Sequence, residues 1–467
     1  MLTLVAAALT AACSPAWEPD AASRAELGAP VFAWTDPATC RTLVVNQAHV
    51  RPEGTRGSLT WFDGSGRLSG RVVLPKGTHP VSAAVDASGG RVVIAQAAMG
   101  PAAVVVRLEA RRLDDGSLVR SFGAAGVATL RVPRTAPNGS ATGGRAIVLI
   151  DGQGRPYVVA RANSVDASSV VYAWRLLADG RADPQWTSGE QPFTTHGFAN
   201  DNEFAAALDA DGRLVVASGT AKAPQLFRLT PSGALDETFG THGRVMLRAG
   251  PPAALAIASD GTIHFTGRGS GQQLGAVSPS GEVGDPLTWT QHDDRNEWPF
   301  DVVVLPDQRR LVAATSYDGR QRRASLVLTL WRADARLEPG FGKDGILELD
   351  EPGVNFQLGH AALLPDGALL IVARRATPEN PFDGPLALFR VPLRPATAPA
   401  PPPPPRPPLR AVVPQRTAPP PTPTASDEPA AGTSVWVYTD ESGVETYVDS
   451  LDRVPKTLRA KARRLSE

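Results

Sequence analysis

Residues 206–247 read AALDADGRLVVASGTAKAPQLFRLTPSGALDETFGTHGRVML. The segment parses as a strand, an Asp-Gly turn, a strand, a loop, a third strand, a Ser-Gly turn and a short closing strand. Gly212 follows Asp211 because a tight hairpin needs positive φ, which Gly, Asn and Asp adopt at least cost. Alternating apolar residues on both sides supply the strands. Two such hairpins in succession make one four-stranded unit.

The unit repeats. Turns built on aspartate recur at Asp36, Asp86, Asp151, Asp211, Asp260, Asp307 and Asp366, spaced 47 to 65 residues apart. The ending Phe239, Gly240, Gly243 returns as Phe122, Gly123, Gly126 and as Phe341, Gly342, Gly345. An aromatic followed by spaced glycines suits a plug between neighbouring units beside a tight turn. Repeats of this length match the blades of an all-β, seven-bladed β-propeller-like domain over residues 31–393, whose closure removes exposed sheet edges. Seven blades are placed above six or eight, and an open solenoid with atypical end units is the competing arrangement.

These residues resemble the delta-60 repeat family, whose units join a D-G-x-[IL]-x-V-x-G half to an R-[LY]-x-x-x-G-x-L-D-x-x-F-G half. The match is close from Asp211 to Gly240. It decays elsewhere: Trp186 stands near the Phe position, Gln308 replaces a turn glycine, and the unit around Gly284 lacks Phe-Gly.

Composition agrees with a turn-rich β chain, since Gly and Pro (44 each) make up 88 of 467 residues. Lys plus Arg (47) equals Asp plus Glu (47), so no overall field favours nucleic acid or an anionic membrane.

At the N-terminus the apolar run Leu2 to Ala12 is too short to span a bilayer and suits a signal-peptide h-region, giving residues 1–12 as signal and 13–30 as tether. Small residues before Cys13 resemble the bacterial lipobox. That resemblance implies acylation of Cys13 and a lipid-anchored place in the cell envelope, on the periplasmic side of the outer membrane or displayed at the surface. An ordinary cleaved signal or a buried first strand is the plainer reading. Cys40 is expected to be a small buried hydrophobe without an intramolecular partner.

Residues 394–432 form a Pro-rich, disordered linker, because proline fixes φ and removes amide donors. Residues 433–467 form a small module in which Val435–Tyr438 and Val444–Val448 pair as a hairpin. A basic helix follows Pro455, carrying six basic residues between Arg453 and Arg464. Trp436, Asp440, Gly443, Tyr447 and Asp449 resemble the pattern of the domain of unknown function 4124.

Catalytic signatures are weak. The seven histidines are scattered without H-x-x-x-H or H-E-x-x-H spacing, and no G-x-S-x-G or phosphate-cradling loop occurs. No catalytic, cofactor or metal residues are assigned. One constellation stands out: Asn200, Asn296 and Asn355 each lie eleven residues before a turn aspartate. With Asp201, Glu203, His292, Asp293, Asp294, Glu297, Trp298 and His360, they form a candidate ligand face at one mouth of the channel. Such groups suit Ca²⁺ or carbohydrate. The competing reading is turn chemistry, in which Asn and Asp bond nearby amides. The expected function is a non-enzymatic, monomeric envelope platform for a protein or glycan; a polysaccharide lyase or hydrolase acting at the channel mouth is the alternative.

Overall fold

The computed structural model describes residues 29–50, 54–99, 103–133, 144–163, 168–187, 193–196, 204–220, 223–248, 250, 252–269, 271–289, 295–377, 384–393, 435–439, 445–448, 459 and 463–465. The expected signal, Cys13, the tether up to residue 28 and the Pro-rich linker lie outside them, whereas Ala29 and Pro30, expected to end the tether, open the first strand.

Seven antiparallel sheets follow one another along the chain. Blade 1 is β1 (Ala29–Thr35), β2 (Thr42–Val50), β3 (Gly54–Phe62) and β4 (Leu68–Val73). Blade 2 is β5 (Pro80–Asp86), β6 (Arg91–Met99), β7 (Ala103–Arg112) and β8 (Val127–Pro133). Blade 3 is β9 (Gly144–Ile150), β10 (Pro156–Asn163), β11 (Ser168–Arg175) and β12 (Phe193–His196). Blade 4 is β13 (Ala205–Leu208), β14 (Leu214–Thr220), β15 (Ala223–Leu229) and β16 (Arg244–Met246). Blade 5 is β17 (Pro252–Ile257), β18 (Ile263–Gly269), β19 (Gly271–Val277) and β20 (Leu287–Trp289). Blade 6 is β21 (Asn296–Val304), β22 (Arg310–Asp318), β23 (Arg323–Trp331) and β24 (Ile346–Leu349). Blade 7 has three strands among the described residues: β25 (Asn355–Leu363), β26 (Leu369–Ala376) and β27 (Leu386–Val391).

The molecule is a seven-bladed β-propeller. The first strand of each blade lies innermost, and the apolar faces of adjacent blades pack on each other. The ring is closed, not an open solenoid: Ala33, Val44 and Phe62 of blade 1 share one buried cluster with Leu370, Val372, Leu386 and Leu388 of blade 7.

The turn chemistry is the one the sequence implied, with one shift of position. Asp151 Oδ1 accepts the amides of Gln153 and Arg155 at 3.0 and 2.9 Å. In blade 4 the residue doing this is Asp209, which takes the amides of Asp211 and Arg213 at 2.9 and 2.8 Å, whereas Asp211 itself is exposed. Side-chain acceptors hold the hairpin while the strands pair beyond it.

Successive blades are joined by buried donors that reach the next blade's third-strand turn. In blade 4, Arg228 bonds Asp236 at 2.8 Å, lies 4.4 Å over the Phe239 ring, and donates through Nη1 to Pro279 C=O of blade 5 at 2.5 Å. Gly240 N–H donates alongside it to Ser280 C=O at 2.8 Å. Gly240 has φ +55, and a Cβ there would fall 2.3 Å from the Arg244 carbonyl oxygen, so only glycine fits. Blade 3 repeats the arrangement with Arg175, Asp183 and Trp186, its Arg175 donating to Pro231 C=O. Trp186 fills the aromatic position and anchors its indole N–H on Ala173 C=O at 3.0 Å. In blade 2, Arg91 over Phe122 donates to Ala178 C=O. In blade 1, Trp61 Nε1–H and Arg41 reach Leu113 and Asp114 C=O at 2.9 and 3.0 Å.

Cys40 corrects an expectation. It is buried, at 3% exposure, in the β1–β2 turn, but it is disulfide-bonded instead of lacking a partner. The chain has only one other cysteine, Cys13.

The C-terminal unit forms a small sheet by itself. Strands β28 (Val435–Thr439) and β29 (Glu445–Val448) make the expected hairpin. Arg463 and Arg464, placed at the end of a basic helix by the sequence reading, instead lie on β30 (Arg463–Leu465), which pairs with β28. Between Arg453 and Arg463 only Arg459 is among the described residues.

Three stability predictions follow from this packing. Arg228→Ala leaves the Asp236 carboxylate buried without its counter-charge and should cost about 3 kcal/mol in denaturant titration, whereas Arg181→Ala at an exposed pair should cost less than about 0.5 kcal/mol. Gln308 holds φ +66 at a position where the equivalent turns carry Gly261 and Gly367. Gln308→Gly should stabilise by roughly 0.5–1 kcal/mol, since left-handed backbone strains a residue with a Cβ. His264 is 5% exposed, and burial, with the Arg310 charge behind it, pushes its pKa from 6.5 down to about 4. The unfolded chain therefore takes up that proton first. Stability present above pH 6.5 is lost as pH falls toward 4, by about 3 kcal/mol at most. His264→Gln should flatten the Tm against pH curve over that interval.

Candidate functional site

In an antiparallel meander the first strand begins, the second ends, the third begins and the fourth ends at the same edge of the blade. That edge of blade 6 therefore gathers Asn296, Glu297 and Trp298 from β21 with Tyr317 and Asp318 from β22, Arg323 and Ser325 from β23, and Glu348 from β24. Blade 7 adds Asn355 from the start of β25. The eleven-residue offset thus points to one mouth of the channel for the described candidates Asn296, Glu297, Trp298 and Asn355. Asn200, Asp201, Glu203, His292, Asp293 and Asp294 lie outside the described residues.

Two of the candidates serve the scaffold. Asn355 is 4% exposed; its Oδ1 accepts Ala324 N–H at 2.9 Å and its Nδ2 donates to Arg322 C=O at 3.0 Å, which seats the β22–β23 turn on blade 7. Glu297 is also buried and accepts from Gln272 Nε2 of blade 5 at 2.8 Å. Each bond crosses between blades. Polar side chains at strand entrances here satisfy buried groups that would otherwise be costly.

His360 lies elsewhere, midway along the innermost strand β25. Its Nδ1 is 3.0 Å from Asp301 Oδ2 of blade 6, and its ring lies 5.7 Å from that of Phe32 in blade 1. The same Asp301 oxygen accepts Ala361 N–H at 2.9 Å, while Oδ1 accepts Val302 N–H at 2.9 Å. Asp301 was not singled out in the sequence because it belongs to no motif. A β-bulge between Pro299 and Asp301 turns its carboxylate toward the neighbouring blade. The pair lies where three blades meet, and the bonds it makes are those of a seam.

The mouth also carries aromatic and cationic side chains. Trp298 and Tyr317 are half-buried and stack with centroids 5.7 Å apart and planes 28° apart. Tyr317 escaped the sequence reading because it is separated by nineteen residues from Trp298 and joins it only through the strand pairing Asn296 to Tyr317. Next to them the turn between β22 and β23 carries the exposed Arg320 and Arg322. Arg295 bonds Glu348 at 2.9 Å, Ser325 Oγ donates to the same carboxylate at 2.6 Å, and Arg323 bonds Asp350 at 2.6 Å. Asp318 is held below the ordinary carboxylate pKa, first by the amide of Gln321 and also by that of Arg320 and the charges of Arg295 and Arg320. Among the described residues, no three His, Cys, Asp or Glu side chains converge as a metal site.

Neither a protein-family model nor a curated protein sequence matches the chain. Similar solved structures include a Dos1 propeller, at 10% identity and TM-score 0.45 over 79% of this chain and 94% of that one. The β-propeller domain of the Trilobed protease from Pyrococcus furiosus is similar at 8% identity and TM-score 0.41, over 78% and 94%. Pyrococcus horikoshii acylaminoacyl peptidase is similar at 12% identity and TM-score 0.43 over 80% of this chain, which spans about half (53%) of that protein. None of these likenesses transfers an activity.

Proposed function

We propose that the propeller is a non-enzymatic interaction platform of the bacterial cell envelope that binds a glycan at the blade 6 mouth. The observation that carries this reading is the stacked Trp298–Tyr317 pair, half-buried beside Arg320 and Arg322. A pyranose ring packs its C–H face on an aromatic side chain, and arginine forks bond hydroxyls and carboxylates with fixed geometry. The arginines favour a glycan bearing uronic acid or another anionic group.

Export to an oxidising compartment is supported by the apolar run at residues 2–12 and by the disulfide at Cys40, since such bonds persist outside the cytoplasm. An acyl anchor on Cys13 completes the reading if Cys40 finds its sulfur partner elsewhere. Mass spectrometry of the mature chain under non-reducing conditions separates a thioether on Cys13 from a Cys13–Cys40 bond.

The enzymatic alternative has one observation in its favour, the Asp301–His360 pair at 3.0 Å on the channel-lining strands. It predicts cleavage of a polysaccharide that is lost on His360→Ala.

Titration calorimetry with uronic-acid and neutral oligosaccharides tests the platform. Trp298→Ala and Tyr317→Ala should each weaken binding about tenfold, corresponding to roughly 1.4 kcal/mol of stacking and burial. Arg322→Ala should reduce the preference for the acidic sugar. Failure of every oligosaccharide to bind, or affinity indifferent to Trp298, would overturn the glycan reading.

A further inference from the structure

The Trp298–Tyr317 stack belongs to the seam between blades 6 and 7. Trp298 pairs with Thr315 and Asn296 with Tyr317, while Thr315 pairs with Leu326 and Tyr317 with Ala324. Cross-strand partners and alternate residues share a face of a sheet. Both rings therefore stand on the face whose deeper members, Ala313 and Leu326, share a buried cluster with Phe356 of blade 7. Asn355, the first residue of β25, reaches the same mouth from blade 7.

Most of the arginine charge at this edge is already engaged. Arg295 bonds Glu348, and Arg323 bonds Asp350. Arg320 lies close enough to Asp318 to help lower the pKa of its carboxyl. Arg322 is exposed and makes no ion pair among the described residues. Its backbone is the fixed part. It has φ +53, a left-handed conformation that a residue with a Cβ holds only under constraint.

The constraint comes from blade 7. Asn355 is 4% exposed; its Nδ2 donates to Arg322 C=O at 3.0 Å and its Oδ1 accepts Ala324 N–H at 2.9 Å. One side chain thus grips the turn on both sides of Arg323. Asn296, at the equivalent point of blade 6, is exposed, so an asparagine that opens an innermost strand does not by itself require such a grip.

We infer that Asn355 is the residue through which blade 7 sets charge recognition at the blade 6 mouth: it holds Arg322 where the guanidinium takes the anionic group of a glycan stacked on Trp298 and Tyr317. This rests on the glycan reading and adds to it the group that reads charge and the residue that positions it. An exposed ion pair gains little when both side chains must first be ordered. Fixing the backbone at the root of Arg322 removes part of that cost before the ligand arrives. The guanidinium fork matches two oxygens of a carboxylate, so the ligand so defined carries a uronic acid at or next to the sugar that stacks. Asn355 is buried and touches no sugar; it is a positioning residue.

Titration calorimetry on the full-length protein, with a uronic-acid oligosaccharide and the neutral oligosaccharide of the same linkage, tests this through the ratio of the two affinities. Arg322→Ala should lower the preference for the acidic sugar about fivefold, and Asn355→Ala about threefold. In the Arg322→Ala background, Asn355→Ala should change the ratio no further, because it acts through that guanidinium. Three results overturn the inference while the glycan reading stands: an unchanged ratio in Asn355→Ala, both sugars weakened alike as a merely structural role predicts, or an equal fall with and without Arg322. Binding of neither sugar by the unmodified protein overturns the glycan reading and this inference with it. Where Asn355→Ala does not fold, Asn355→Ser carries the same comparison.

Discussion

The propeller depends on the bond by which one blade holds the turn of the next. A buried arginine such as Arg228 cannot stay charged away from water without a partner, and Asp236 supplies one on the same blade. Its Nη2 donates to Thr238 Oγ1 on that blade, and its Nη1 points across the seam at a backbone carbonyl of the following blade. The aromatic under the guanidinium excludes water and fixes its plane. The contact therefore sets the distance and the register between blades, which apolar packing alone would leave adjustable.

The clasp is not uniform around the ring. It joins blades 1 to 2, 2 to 3, 3 to 4 and 4 to 5. In blades 5 and 6 the third-strand position of Arg175 and Arg228 is taken by Ala276 and Leu330, and aromatic rings pack across the seam, Trp289 of blade 5 lying 4.9 Å from Trp331 of blade 6. The Trp298–Tyr317 pair belongs to this part of the ring. Where a repeat no longer holds its neighbour by the shared device, its side chains are released for other uses.

The candidate face illustrates how an offset in sequence can find the right place for a mixed reason. Asn296 and Asn355 occupy equivalent positions because the first strands of blades 6 and 7 are both nine residues long, which brings their opening residues to one mouth. Asn355 is there to pair with the backbone of the preceding turn. Trp298 is there with its ring half-exposed and stacked. Type and position were visible along the chain, but the division of labour between them was not.

The sequence by itself determined the β architecture, the number of blades and the hairpin turns, because period-two alternation, aspartate acceptors and glycines with positive φ act over a few residues. It also located the plugs Phe122, Trp186, Phe239 and Phe341, whose spacing from the turn glycines is local. Only the tertiary structure decided that the ring closes, that Arg228 addresses Pro279, that Asp301 meets His360 and that Tyr317 stacks on Trp298. Those contacts join residues on different strands or blades, and no local period encodes which of them meet. The strand carrying Arg463 and Arg464 has the same explanation: its partner, β28, lies nearly thirty residues earlier, and pairing with a distant edge overrode a helical pattern that neighbouring residues alone would favour.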